Sequence, residues 1–173
     1  PGVSGNSQDS YIDAVSIRGV RTQDFGVGGD PSSAFFKNDL YEGRNGSAVT
    51  SLFDIERAEV LRGPQGFLFG RNSIGGAFSV HTRKAEIGAD DAYMDLDFGQ
   101  RGHFVFEGAT NIPVNDSFAM RLAGYSSSER GFAKNVATNR REIEHSKMAV
   151  RWSTASESDR LSINTVVDYE DRE

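Results

Sequence analysis

The chain has 173 residues, a formal net charge of -6, 37% hydrophobic and 10% aromatic residues and no cysteine, enough apolar material for one ordinary domain or two small ones. The missing cysteines exclude thiolate metal sites, disulfides and cysteine nucleophiles, and an acidic chain with scattered Lys and Arg argues against nucleic acid as a partner. No run reaches the roughly 18 apolar residues of a membrane helix, which leaves open a transmembrane β-barrel, because its alternating strands read as hydrophilic on average.

The opening "PGVSGNSQDS" has neither the basic nor the apolar region of a signal peptide and reads as a truncated start. Up to about Ala85 the sequence is Gly-rich, with the short apolar runs "AVSIRGV", "SAFF", "DLYEG", "AEVLRG" and "GAFSV". Small strands joined by loops are expected there. In "SLFDIERAEV" (51–60), Leu52, Ile55 and Val60 are unevenly spaced, which predicts one helical turn running into a strand. Next comes "LRGPQGFLFGRNSIGGAFSV" (61–80). Gly63, Gly66, Gly70, Gly75 and Gly76 are positions for positive φ or close backbone approach, and Pro64 stiffens the first turn. The stretch is built for tight packing.

From about Asp90 the texture changes to alternation. Ala92, Met94, Leu96 and Phe98 share a face opposite Tyr93, Asp95 and Asp97. Phe104, Phe106 and Ile112 lie opposite Glu107 and Asn111, and Phe118, Met120 and Leu122 lie opposite Arg121. Met148, Val150 and Trp152 oppose Lys147 and Arg151, while Leu161, Ile163, Val167 and Tyr169 oppose Asn164, Asp168 and Glu170. Five strands with every charge on one side are predicted. The connections "PVND" (113–116) and "STASESD" (153–159) are short and polar, and 127–145 is long and charged. Tight turns at one end and longer loops at the other mark a transmembrane barrel.

A soluble sheet with one buried face alternates in the same way. Three features favour the barrel. The apolar face carries no charge, the opposite face suits a wet lumen, and Phe118 and Trp152 stand near the expected strand ends as an interfacial girdle requires. Five strands cannot close a wide barrel, so this reading makes the chain part of a longer protein.

Catalytic motifs fail. Gly63, Gly66 and Gly70 have neither P-loop nor dinucleotide spacing. His81, His103 and His145 lack ligand spacing. No Gly-x-Ser-x-Gly elbow is present, and Glu56 and Glu59 read as surface groups. The chain is not expected to be an enzyme.

The block "DIERAEVLRGPQGFLFGRNSIGGAFSVHTRK" (54–84) resembles the segment that ends the plug domain of TonB-dependent outer-membrane receptors. Upstream, "SIRGV" (16–20) and residues 24–44 are similar to preceding plug strands and loops, and "NIPVNDSFAMRLAGYSSSERGFAKN" to early barrel strands with their turn. Two departures stand out. The plug hairpin that usually turns through Asp-Gly reads Lys37-Asn38-Asp39 here, and Phe67 stands where the family commonly has a small residue such as Thr.

The resemblance implies a mainly β chain. Residues 1–87 would be a partial α+β plug and 88–173 the first of the about 22 antiparallel strands of a transmembrane β-barrel. It implies a receptor in the bacterial outer membrane that imports a scarce nutrient, most often a ferric siderophore. Its partners would be outer-membrane lipid, the small-molecule substrate and a TonB energy-coupling protein that acts through a segment outside this chain. No cofactor is implied, since iron enters only within a transported chelate. Outward-facing plug loops nominate Arg21, Gln23, Tyr41, Glu42 and Arg44 for substrate. Arg57 and Arg62 resemble plug arginines that pair with barrel carboxylates, and Gly63, Pro64, Gly66, Gly70, Gly75 and Gly76 would let the plug lie close to the barrel wall. The alternatives are a soluble β-rich ligand-binding or adhesion module and an enzyme with an unrecognised site.

Overall fold

The computed structural model describes residues 2–4, 16–20, 30–43, 52–131, 133–134, 136–137, 141–142 and 144–172. The chain divides into two compact units, Pro1–Thr82 and Arg83–Glu173.

In the first unit, β1 (Val3–Ser4) pairs antiparallel with β2 (Ser16–Ile17). A four-stranded mixed sheet follows, made of β3 (Ser33–Lys37), β4 (Leu40–Tyr41), β5 (Ile55–Arg62) and β6 (Gly76–Thr82) in the order β4-β3-β6-β5. Only β3 and β6 run parallel. The β3–β4 turn places Asn38 and Asp39 at φ 50° and 66°. Two left-handed residues in a two-residue hairpin make the mirror-image turn that fits strand twist, and Asn and Asp tolerate that conformation without glycine. Asn38 is also tied down, its Oδ1 accepting the Thr82 N–H at 2.9 Å and its Nδ2 donating to Thr82 Oγ1 at 3.0 Å.

The helical turn predicted before β5 is absent from residues 52–54. Asp54 takes φ 49° and is buried beside buried Phe53, so the chain bends there and enters the strand directly. The uneven apolar spacing recorded one buried anchor, Phe53, followed by an edge strand. The helical turn lies further on, at α1 (Gly66–Phe69). It is closed by the Gln65 N–H to the Ser73 carbonyl at 2.9 Å and by Ser73 Oγ to the Gly70 carbonyl at 2.7 Å.

Gly75 and Gly76 sit where three segments converge. The Gly75 N–H donates to the Ser32 carbonyl at 2.9 Å, and its carbonyl accepts the Gly63 N–H at 2.9 Å. A Cβ on Gly76, at φ 148°, would overlap the Leu61 carbonyl oxygen and come 2.8 Å from Ile17 Cδ1. The close approach that these two glycines permit is to their own unit.

The second unit is a five-stranded antiparallel sheet of β7 (Asp91–Phe98), β8 (Phe104–Asn115), β9 (Phe118–Glu129), β12 (His145–Ser158) and β13 (Leu161–Arg172), in the order β13-β12-β9-β8-β7. A small hairpin of β10 (Ala133–Lys134) and β11 (Arg141–Glu142) lies within the β9–β12 connection. The turns are tighter than "PVND" and "STASESD" implied. The strands continue to Asn115, past a register shift after Pro113, and to Ser158, so that only Asp116–Ser117 and Asp159–Arg160 make the turns.

Register aligns Tyr93, Ala109, Ala123, Arg151 and Asp168 in one cross-strand row and Met94, Gly108, Gly124, Val150 and Tyr169 in the next. Rows alternate between faces, and the faces are inverted relative to a water-soluble sheet. Arg121, Arg151, Asn111 and Ser153 are buried, whereas Met94, Leu122, Val150, Trp152, Ile163, Val167 and Tyr169 are exposed. Trp152 is not at a strand end as expected. It lies inside β12 opposite Leu122 and Val167, because β12 extends to Ser158.

Two outcomes test this arrangement. Gly76→Ala is expected to destabilise the first unit by about 2 kcal/mol or more through strained φ and overlap, seen as a lower urea midpoint for proteolysis of that unit, and an unchanged midpoint would contradict the packing. Val150→Arg is expected to cost about 2–4 kcal/mol in lipid vesicles, while Lys147→Ala on the opposite face costs under about 0.5 kcal/mol. Equal costs in denaturant titrations would mean that the faces are assigned wrongly.

Candidate functional site

Of the residues nominated for substrate, Arg21, Gln23 and Arg44 lie outside the described residues. Tyr41 and Glu42 close the short β3–β4 hairpin, Tyr41 opposite Phe36, with the Glu42 N–H donating to the Phe35 carbonyl at 2.8 Å. This places the Tyr41 ring against the Phe36 ring, 5.5 Å between centroids, and Phe36 in turn meets Phe69 of α1 at 5.0 Å. Tilted aromatic pairs at such distances add about 0.5–1.5 kcal/mol beyond burial.

The phenol end of Tyr41 is polar and tied. Asn72 Nδ2 donates to Tyr41 Oη at 2.7 Å and to Asp30 Oδ1 at 3.0 Å, and Arg71 Nη2 reaches the same Asp30 oxygen at 3.4 Å. Asn72 adopts φ 64°, a left-handed turn position that Asn accepts and that aims its amide back across the hairpin. The structure thus brings Asp30, Arg71 and Asn72 together with Tyr41, across more than thirty residues of sequence. Sequence reading nominated Tyr41 alone of these four. The available signal was the Asn within "GRNS", a turn former beside a cation. The group offers an aromatic face, a carboxylate and an exposed guanidinium, which suits a polar aromatic or anionic ligand.

Arg57 and Arg62 stand on the edge strand β5. Arg57 reaches Glu59 at 3.1 Å and Glu56 at 3.4 Å, all exposed, so Glu56 and Glu59 are salt-bridging surface groups. Gly63, Gly75 and Gly76 are buried, whereas Pro64, Gly66 and Gly70 are exposed. Phe67, on the outer side of α1, is almost fully exposed.

The second unit carries its charge on the buried face. Arg151 Nε donates to Asp168 Oδ1 at 2.7 Å, and Arg121 Nη1 reaches both Asp91 oxygens at 3.2 and 3.4 Å. At the strand ends away from the two-residue turns, Arg101 Nε donates to Glu129 Oε1 at 3.0 Å. His103 lies 3.5 Å from both Glu129 and Asp97. A cavity of about 430 Å³ opens beside this cluster, lined by Glu129, Arg130, Glu144 and His145 among others. Among the described residues no group of three or more His, Cys, Asp or Glu is arranged to hold a metal ion.

Comparison with known proteins agrees with this architecture. Residues 1–77 match the family described as TonB-dependent Receptor Plug Domain. The pesticin receptors of Yersinia enterocolitica and Yersinia pestis are 30% identical over 82 residues, 47% of this chain and 12% of their own length. The chain therefore spans about an eighth of those relatives. The crystal structure of the ferric yersiniabactin uptake receptor FyuA from Yersinia pestis superposes with TM-score 0.88 at 20% identity, over 99% of this chain and 27% of FyuA. The pyoverdine outer membrane receptor FpvA from Pseudomonas aeruginosa, bound to pyoverdine, gives 0.77 at 17% identity, over 99% of this chain and 24% of FpvA.

The tie between Tyr41 and Asn72 is testable. Asn72→Ala is expected to lower the stability of the first unit by about 1 kcal/mol and to raise quenching of Tyr41 fluorescence by acrylamide. Unchanged quenching would show that the tie does not hold the ring.

Proposed function

We propose that the chain is part of a TonB-dependent receptor of the bacterial outer membrane, supported by the plug-domain match over residues 1–77 and the shared fold, and that it serves in binding a scarce nutrient outside the cell and importing it, with a ferric siderophore as cargo. In this reading residues 1–87 act as plug and 88–173 as the first wall strands. The observation that carries it is the inverted sheet joined to a plug domain: apolar residues outward, charged residues buried. A soluble ligand-binding or adhesion module would present the opposite polarity to water.

A siderophore is favoured over other cargo by the relatives, a pesticin receptor and receptors for ferric yersiniabactin and pyoverdine. Iron is then substrate within its chelate. Tyr41 and Glu42, together with Arg21, Gln23 and Arg44, would contact the chelate. Stacking on Tyr41 and charge-assisted hydrogen bonds from the arginines are the chemistry offered. The work is binding and gating, with no bond made or broken. A TonB protein would supply the energy, and occupancy would have to favour one plug state over another for the coupling to be regulated. Arg57 and Arg62 are proposed to face carboxylates of the wall.

The test is uptake of radio-iron carried by ferric yersiniabactin, ferric pyoverdine and a panel of catecholate and hydroxamate chelates, in iron-starved cells making the full-length receptor, with and without TonB. At least one chelate is expected to enter in a TonB-dependent manner, and Tyr41→Ala to weaken its binding about tenfold, about 1.4 kcal/mol. No TonB-dependent uptake of any iron chelate would overturn the siderophore assignment.

A further inference from the structure

Residues 83–90 have no regular secondary structure and precede β7, yet they are held to the sheet at three successive points. Ala85 is buried and packs with Ala119 of β9 and Ala155 of β12, with Ile87 against the same cluster. Asn111 of β8, fully buried, turns its whole amide on the segment. Its Oδ1 accepts the Glu86 N–H at 3.0 Å, and its Nδ2 donates to the Glu86 carbonyl at 2.9 Å and the Ala89 carbonyl at 2.7 Å. One side chain thus supplies both halves of a strand-like pairing to Glu86. The third point is Asp91, paired with Arg121, which lies opposite Asn111 in the ladder. Just before these holds, Arg83 and Lys84 are exposed.

We infer that Asn111 is a positioning residue that anchors the first residues of the second unit, 85–90, to that unit's own sheet, so that opening of the first unit stops at Arg83 and Lys84. The physical reason is selectivity of cost. Opening 85–90 would strand a fully buried amide and two carbonyls, each a desolvation penalty of about 1–3 kcal/mol, besides exposing Ala85. Turning the chain at 83–84 breaks none of these bonds. The anchor does not depend on what the protein transports, and in a TonB-dependent receptor it would keep a moving plug tethered at a fixed point.

Hydrogen exchange on the full-length receptor in detergent, in urea low enough to open the first unit alone, tests it without any ligand. In the wild type, the backbone of 77–82 is expected to lose protection while Glu86 keeps it. Asn111→Ala is expected to raise exchange at 85–90 at least tenfold while the β8–β9 ladder stays protected. Asn111→Asp separates anchoring from general loosening. Its carboxylate fills the same space but offers no donor to the Glu86 and Ala89 carbonyls, so exchange at 85–90 rises as in Asn111→Ala although no cavity is made. Loss of protection at 85–90 together with 77–82 in the wild type would overturn the inference, as would equal protection in wild type and Asn111→Ala. Should a variant fail to fold, a disulfide in Ala85→Cys/Ala119→Cys decides. Unchanged opening of 77–82 supports a fixed anchor, and blocked opening overturns it.

Discussion

A guanidinium cannot leave water without a counter-charge, and the second unit buries two. Arg151 and Arg121 lie inside the sheet with Asp168 and Asp91 as partners. Removing one member of such a pair leaves an uncompensated charge worth several kcal/mol, so the pairs fix more than local contacts. Arg151 and Asp168 are direct cross-strand neighbours on β12 and β13, while Arg121 reaches across Asn111 to the first residue of β7. A one-residue slip in either ladder would send an arginine to the apolar face. Strand order, register and the polarity of both faces therefore stand or fall together.

The first unit is organised by a different limit, the room between backbones. Gly76 runs beside Leu61 and Ile17 with no space for a methyl group, which lets β6 sit between parallel β3 and antiparallel β5. At the other end of β6 the Asn38 amide binds Thr82, and His81 Nε2 lies 3.1 Å from Ser79 Oγ. The central strand is thus held by shape at its start and by polar bonds at its finish. On the outer face of the barrel sheet, Gly108 and Gly124 oppose one another and the Phe106 ring covers both, 3.3 and 3.7 Å from where their Cβ atoms would be. An aromatic ring there replaces the side-chain contacts that two glycines forgo.

Much of this was legible in the sequence because period-two alternation is a local signal. The charges at Asp95, Glu107, Arg121, Lys147, Arg151 and Asp168 fall on one face as read, and the five strands follow. The turns read as longer than they are because the Ser and Thr of Ser153–Ser158 look like loop residues, yet they continue the strand, Ser153 on the polar face and Thr154, Ser156 and Ser158 on the face of Trp152. Phe53 and the helical turn at Gly66–Phe69 were missed for another reason. Both depend on left-handed backbone at Asp54 and on closure by Ser73, which residue spacing does not encode. The partners of Tyr41 were invisible because Asp30 and Asn72 reach it only through the fold, and Asn111 read as one more polar residue although it makes three bonds to the chain before β7.

The asymmetry of the connections has an evolutionary consequence. At one end of the sheet two residues join each pair of strands, and at the other the β9–β12 connection carries its own hairpin. One residue added at Asp116–Ser117 would shift a ladder, whereas doubling the segment between Lys134 and Arg141 adds only about 0.6 kcal/mol of closure entropy. Length is therefore free to diverge at that rim, while the ladders hold the opposite rim constant in length.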